Sequence, residues 1–174
     1  IRQGIYQWNE HYPSLEAFVS DFNRNALWVF EINGHPMGCV SFYTEMDPEY
    51  ESTPWITPNT KHLYVHRLAV HPDHQKKNIA RALMDFAENH ARELACASVR
   101  LDTFSQNPRN LKFYASRGYQ ETGGTLYFPK QSVHPFVTLE LVLTWLNKST
   151  QGINEPKKNT PYKFRHRPFL RDTN

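Results

Sequence analysis

The chain has little cysteine and nothing that reads as a membrane anchor. Its 174 residues hold two cysteines, Cys39 and Cys96. Two are too few for a disulfide framework, and they lack the CxxC spacing of a redox or zinc motif. No apolar run approaches the roughly 18 residues that cross a bilayer, and no secretory leader is visible at Ile1. These absences give the expectation of a reducing, cytoplasmic compartment and of no membrane partner. Internal repeats and long low-complexity stretches are also missing. His62, His66, His71 and His74 crowd one stretch, but no HExxH helix and no cysteine partner accompany them. No metal is therefore expected.

What is present is an ordinary globular composition, 39% hydrophobic and 14% aromatic, enough to build one core. Charge is divided unevenly. Residues 1–146 carry 13 Lys and Arg against 15 Asp and Glu, whereas residues 147–174 carry 7 against 2. The chain thus reads as a domain over 1–146 followed by a basic, proline-containing arm over 147–174, extended and either packed on the surface or mobile. A basic patch attracts phosphates, yet this one is no evidence that the body binds nucleic acid, which is not expected as a partner. A nucleic-acid arm is the rival reading, and its affinity would fall steeply with salt.

Residues 5–24 look helical but interrupted, with Ser14 placed to cap a second helix carrying Leu15, Phe18, Val19 and Phe22. Strands are expected over 26–32 and 37–43, joined by Asn33-Gly34, two residues that tolerate the positive φ of a hairpin turn. Residues 44–60 form an acidic, proline-rich loop. Residues 62–70 read as a strand that Pro72 stops. Residues 78–94 read as a helix with an apolar stripe of Ile79, Leu83, Phe86, Ala87 and Leu94. A strand over 99–104, a short helix from Asn107-Pro108 through Ser116, and Gly118 at its αL end follow. Short strands over 119–121 and 125–128 and a longer one over 136–143 finish the sheet. This alternation predicts an α/β fold: a central sheet of mixed direction with crossover helices.

The stretch Leu68-Ala69-Val70-His71-Pro72-Asp73-His74-Gln75-Lys76-Lys77-Asn78-Ile79-Ala80-Arg81 carries the chemistry. A strand ends, a polar turn follows and a helix begins. A helix start presents unsatisfied N–H groups and a positive dipole end, which suits a diphosphate. Lys76, Lys77 and Arg81 add formal charge, and Ala80 leaves room for close approach. Gln75-Lys76-Lys77-Asn78-Ile79-Ala80 resembles the acetyl-CoA signature of the GNAT superfamily of N-acetyltransferases, in which Arg or Gln is followed by two variable residues, Gly, one variable residue, and Gly or Ala. Asn78 stands where the first Gly is usual; Asn imitates Gly best at positive φ, so the loop shape is expected to survive. The later stretch Asn107-Pro108-Arg109-Asn110-Leu111-Lys112-Phe113-Tyr114, with Gly118-Tyr119 beyond it, resembles the family's second motif. The resemblance covers roughly residues 5–143 and not the arm.

The resemblance implies the acyl-CoA N-acyltransferase fold, with two parallel middle strands splayed apart and acetyl-CoA as co-substrate in the gap. Leu68, Ala69 and Val70 would then offer backbone to the pantetheine, with Leu68 and Val70 bonding it. Gln75 through Arg81 would hold the diphosphate. Asn107, with Asn110 beside it, would bond the pantetheine arm, and Tyr114 would sit near the thioester sulfur. The implied reaction is direct transfer of the acetyl group to an amine-bearing small molecule or peptide in a ternary complex. A non-catalytic acyl-CoA-binding or regulatory module on the same fold is the alternative, and a homodimer is left open.

The reaction needs a neutral amine, a donor for the developing oxyanion and a proton for the departing thiolate. Tyr114, with an ordinary pKa of about 10, is the candidate acid. His66 and Asp102 are candidate bases on equal footing, and a water relay is a third route. On regular alternation His66 would share a face with Leu68 and Val70. The plainer readings stand beside these: Tyr114 as a core tyrosine, His66 as a structural strand residue, and Asp102 paired with Arg100, Arg67 or a backbone N–H. The loop 44–60, the first helical segment and the loop around His134-Pro135-Phe136 are expected to shape the acceptor side; Trp8, Tyr12 and Trp55 are candidates to line it, with core or rim packing as the plainer reading. The acidic Glu45, Asp47, Glu49 and Glu51 read either as favouring a cationic amine there, the preferred expectation, or as a solvated loop.

Overall fold

The computed structural model describes residues 12–58, 60–129, 131–144 and 162–166. In chain order its elements are α1 (Leu15–Asn23), β1 (Leu27–Ile32), β2 (His35–Tyr43), β3 (His62–Val70), α2 (Ile79–Glu93), β4 (Ser98–Phe104), α3 (Pro108–Ala115), β5 (Gln120–Leu126), β6 (Phe136–Val142) and β7 (Tyr162–Arg165). The described strands form one sheet in the order β5-β6-β4-β3-β2-β1-β7. Its single parallel pair is β3–β4, and every other neighbouring pair is antiparallel. The sheet is mixed, as the sequence pattern predicts, and mostly antiparallel.

Local chemistry sets most boundaries. The Ser14 hydroxyl accepts from the Ala17 N–H at 3.3 Å and starts α1; the earlier part of the expected helical segment, residues 5–11, lies outside the described residues. Asn33 and Gly34 take φ of 52° and 82°, and Ile32 faces His35 across the turn. Asn107 caps α3 by accepting from the Asn110 N–H at 3.1 Å, and Gly118 ends that segment at φ 90°. The two short strands expected over 119–121 and 125–128 are one strand, β5, whose register against β6 shifts between Glu121 and Thr125. Gly123, at φ 83°, supplies the irregularity.

The core lies between the sheet and α2. Ile79, Leu83, Met84, Ala87 and Ala91 pack on Phe30, Val40, Phe42, Leu63, Val65, Val99 and Leu101. Gly38 makes this packing close: a Cβ there would stand 2.7 Å from the Ala69 carbonyl oxygen and 3.2 Å from Ile79 and Leu83 carbons. On α1 the stripe divides, since Phe18 and Phe22 pack on Leu27, Val29 and Cys39 while Leu15 and Val19 stay exposed. The arm contributes β7, antiparallel to β1. Aromatic contacts hold it: Tyr162 stacks on Phe30 with centroids 4.9 Å apart, and Phe164 on Phe86 at 4.2 Å. The expected boundary between domain and arm, at residues 146 and 147, lies outside the described residues.

A buried ion pair ties the loop after β2 to the other face of the sheet. Arg100 on β4 faces Glu140 on β6 in register, with Nε 3.0 Å from Oε1 and both side chains almost fully buried. Around them the Ile56 and Thr57 N–H groups and the Thr57 and Ser98 hydroxyls donate to Glu140. Arg100 also donates to the Thr57 carbonyl at 2.9 Å and lies 4.6 Å from the Trp55 ring centre. Burial works against the Glu140 charge, but these donors hold its carboxyl below the ordinary range. Removing one partner leaves the other buried and uncompensated. Arg100→Ala is expected to cost about 3–5 kcal/mol in chemical denaturation, and to open residues 50–57 to limited proteolysis.

Candidate functional site

The site begins where two strands part. The parallel ladder between β3 and β4 runs from His62↔Ser98 through Leu63↔Val99 to Tyr64↔Arg100, and then stops. Beyond it the next residues on the same face are His66 and Asp102. β3 is diverted by a bulge: Cys39 faces Ala69 and Ser41 faces His66, so three residues of β3 span two of β2. Arg67 sits at the bulge with φ 48°, a conformation that a long side chain adopts only when it is held. The hold is Asp21 of α1, which accepts from Nε and Nη2 of Arg67, while Nη1 reaches the Tyr12 hydroxyl at 3.1 Å.

The bulge overturns the expected regular alternation. Leu63, Val65, Leu68 and Val70 all join the core against α2, and His66 points to the opposite face. Beyond the bulge the His71 N–H donates to the Met37 carbonyl at 2.8 Å. Strand alternation therefore turns the main-chain groups of Val70 and Leu68 toward β4, and those of Ala69 toward β2.

On the helix face, Pro72–His74 form one 3-10 turn and Gln75 is extended. Lys76 and Asn78 take φ of 62° and 60°. Asn78 occupies the αL position immediately before α2, and its side chain makes no capping hydrogen bond. The N–H groups of Ile79, Ala80 and Arg81 at this helix start thus have no side-chain cap. Lys76, Lys77 and Arg81 are exposed around them. Gln75 accepts from Arg109 of α3 at 3.5 Å, which joins the two motif segments. On α3 the Asn107 oxygen is spent on the cap to Asn110, and its amide nitrogen donates to no described residue. Tyr114 is buried in the core cluster with Tyr119, and its hydroxyl bonds to no described residue. Burial first, and then the charge of Asp102, hold this phenol above its ordinary value. Thr103 on β4, on the face of Leu101, has a buried hydroxyl without a partner.

On the opposite face lies a cavity of about 210 Å³. Asp47, Glu49, Tyr50, His66, Arg67 and Asp102 supply its polar lining, Tyr12 and Gln131 close one side, and Phe128 and Phe136 form an apolar wall. Trp55 packs under Arg100 instead, Trp8 lies outside the described residues, and Glu45 pairs with Arg24 at 4.0 Å. Asp102 accepts from the Tyr50 hydroxyl. Burial raises its carboxyl to about 6, with the Tyr50 hydrogen bond opposing and Asp47 adding to the rise. His66 is stacked on Tyr43 with centroids 4.6 Å apart and on Tyr50 at 5.9 Å. Burial, then the charges of Arg67 and Arg24, push its imidazole down to about 3. The four histidines that are neighbours in the sequence go separate ways. His62 bonds Ser98 and the Pro58 carbonyl, His66 enters the cavity, and His71 accepts from the Asp73 N–H beside His74. Among the described residues no group of three or more His, Cys, Asp or Glu could hold a metal ion, and no helix is long and apolar enough to cross a membrane.

The profile of the Acetyltransferase (GNAT) family matches residues 2–119. The chain belongs to the GNAT family of acetyltransferases. It is 25% identical to mouse N-acetyltransferase family 8 member 3 over 149 residues, 80% of this chain and 62% of that protein. It is 26% identical to mouse N-acetyltransferase 8B over 124 residues, 67% of this chain and 50% of that one. The chain therefore spans only half to three-fifths of the length of these curated relatives. Among solved structures, a GNAT acetyltransferase from Streptococcus agalactiae superposes with a TM-score of 0.67 at 18% identity, covering 82% of this chain and 81% of that one. The ribosomal-protein-S18-alanine N-acetyltransferase of Escherichia coli gives 0.60 at 18% identity, covering 85% and 89%. A GNAT acetyltransferase from Elizabethkingia anophelis with acetyl-CoA bound gives 0.56 at 15% identity, covering 76% and 85%.

The residues present fit the acyl-CoA that this family takes. The uncapped helix start and the orphaned Thr103 hydroxyl lie on the α2 side of the sheet, and the main-chain groups of Leu68 and Val70 turn into the gap where its strands part. The sequence missed Tyr50 and the Arg67–Asp21 clamp, because neither belongs to a periodic or spaced motif. Asn78→Gly, which keeps the αL turn and loses no cap, is expected to melt within about 0.5 kcal/mol of the parent. Asn78→Val, β-branched at positive φ, is expected to lose about 1–2 kcal/mol in the same thermal melts.

Proposed function

We propose that this protein moves the acetyl group of acetyl-CoA directly to an amine held in the cavity, with both substrates bound at once. One observation carries the reading. The uncapped start of α2 and the carboxylate-lined cavity lie on opposite faces of the sheet, and the faces meet where β3 and β4 part, with Asp102 close enough to Tyr114 to act on its pKa.

In this reading the N–H groups of residues 76–81 and the charges of Lys76, Lys77 and Arg81 hold the diphosphate. Leu68 and Val70 bond the pantetheine through their backbones, with Asn107 and Asn110 beside it. When bound, acetyl-CoA supplies an electrophilic thioester carbonyl. The Val70 N–H, turned into the gap, would be a donor to its oxygen. Asp102 is favoured over His66 as the base. A carboxylate near 6 accepts a proton at neutral pH, whereas an imidazole near 3 is too weak a base for the task. The proton leaves the acceptor ammonium for Asp102, directly or through one water. The N–C bond forms as the C–S bond breaks, Tyr114, kept protonated by its raised pKa, supplies a proton to the departing sulfur, and the second proton shed by the acylated nitrogen returns to the Tyr114 phenolate, directly or through water. Tyr50 positions Asp102 through its hydroxyl. Asn78, the residue that keeps a non-catalytic module as the alternative, takes the αL shape of the usual Gly, which supports the catalytic reading.

Free thiol released from acetyl-CoA over an amine panel tests the proposal, and tight CoA binding with no turnover on any amine would remove it. Tyr114→Phe is expected to lower turnover by about 10²-fold or more while acetyl-CoA affinity by calorimetry changes little. Activity is expected to rise with pH through about 6, because the base is effective only above the Asp102 pKa and is lost as pH falls through it. Tyr50→Phe removes the hydrogen bond that opposes the rise, so the acid limb of the pH–rate profile is expected to move upward. A limb that stays in place would deny Tyr50 its positioning role.

A further inference from the structure

The cavity contains carboxylates without cations and one cation already spoken for. Arg67 gives Nε and Nη2 to Asp21 and Nη1 to Tyr12. Its fork is therefore consumed inside the protein, and an acceptor carboxylate gains no bidentate partner from it. Asp47 differs. Its carboxylate accepts from the Tyr43 hydroxyl at 2.9 and 3.1 Å, a neutral donor. Its nearest basic nitrogen in the cavity is His66 Nε2, at 3.8 Å. The His66 side chain is only 9% exposed, and its Nε2 has no hydrogen-bond partner. A buried imidazole nitrogen left unpaired costs free energy, and the Tyr43 and Tyr50 rings that flank it offer nothing to bond. In the tautomer with the proton on Nδ1, Nε2 is an acceptor. Two acceptors, Asp47 Oδ2 and His66 Nε2, thus stand 3.8 Å apart on the wall of one cavity, and an ammonium with three donors satisfies both at once.

We propose that Asp47 and His66 form a subsite for a second ammonium group, so that the acceptor is a small dication: one amine to be acetylated at Asp102 and one cation held between Asp47 and His66. The proposal rests on the acetyl-transfer reading above and names its acceptor class. Glu49, also on the cavity wall, adds negative potential. The charges of Arg67 and Arg24 oppose that potential, but Arg67 is paired with Asp21, and Arg24 lies over the Tyr43 ring. The cavity volume of about 210 Å³ lies below the range of roughly 300–1,000 Å³ that takes drug-sized ligands, which fits a short aliphatic diamine.

The test is calorimetric titration of the full chain, with and without saturating CoA, using diaminobutane and diaminopentane against butylamine and pentylamine. The better diamine is expected to bind about tenfold or more tightly than its monoamine, and the advantage is expected to shrink as salt rises. Asp47→Asn is expected to erase most of it, with a thermal melt to show that the variant folds. Imidazole nitrogen NMR on the unaltered protein gives a readout independent of any variant: diamine, and not monoamine, is expected to shift His66 Nε2. Equal binding of diamine and monoamine, no binding of either, or an unmoved His66 resonance would overturn the subsite. A diamine preference in a protein that neither binds CoA nor acetylates would leave the subsite standing and sink the acetyl-transfer reading instead.

Discussion

A parallel ladder only three residue pairs long organises this molecule. β3 and β4 bond from His62 to Tyr64 on one side and from Ser98 to Arg100 on the other, and then separate. Ladder groups past that point face each other across a gap, and buried main-chain groups do not stay unpaired without cost. What keeps the strands from closing is the Arg67 bulge, which bends β3 toward β2, and the Asp21 carboxylate that holds Arg67 at positive φ. The strain of that backbone is met by two charge-assisted hydrogen bonds. A gap between parallel strands, backed by a helix start on one face and a cavity on the other, follows from this one constraint.

The second constraint is the Arg100–Glu140 pair. A proline-rich loop of residues 44–60 has little capacity to order itself, and its conformational entropy favours a solvated coil. The main chain at Ile56 and Thr57 instead donates to a buried carboxylate, and Arg100 accepts Trp55 as a lid. Fastened at that end, the loop carries Asp47, Glu49 and Tyr50 over the sheet to face His66 and Asp102. The resulting enclosure is aromatic and dry enough to push a carboxyl up and an imidazole down in the same cavity. That opposite movement is one physical effect, the penalty on charge in a poorly solvated place, acting on groups of opposite charge type.

Much of the helix-side site was legible in the residues. The turn from Gln75 to Arg81, the αL Asn78, the Asn107 cap and the Asn33-Gly34 hairpin each depend on local backbone preference, and local preference is written in neighbouring residues. The acceptor side was only half legible. Loop 44–60 was recognised as its border, but alternation placed His66 on the wrong face, because a bulge adds one residue to a strand without leaving a sequence mark. Tyr50 was invisible as the partner of Asp102, 52 positions away. Leu15 and Val19 looked like core and are exposed, since helical spacing reports a face but not what covers it.

By itself, the sequence determined the family, most elements from α1 to β6, the turn chemistry and the charge around the start of α2, all of which arise from residues within a turn or two of one another. Tertiary structure alone decided where β3 and β4 part, which of two candidate bases keeps a usable pKa, and that Arg67 is closed to acceptors while Asp47 is open. Those are outcomes of burial and of partners 46 to 52 residues apart. Desolvation and long-range pairing depend on the packed neighbourhood of a group, and the same side chain in another neighbourhood would titrate and bond differently.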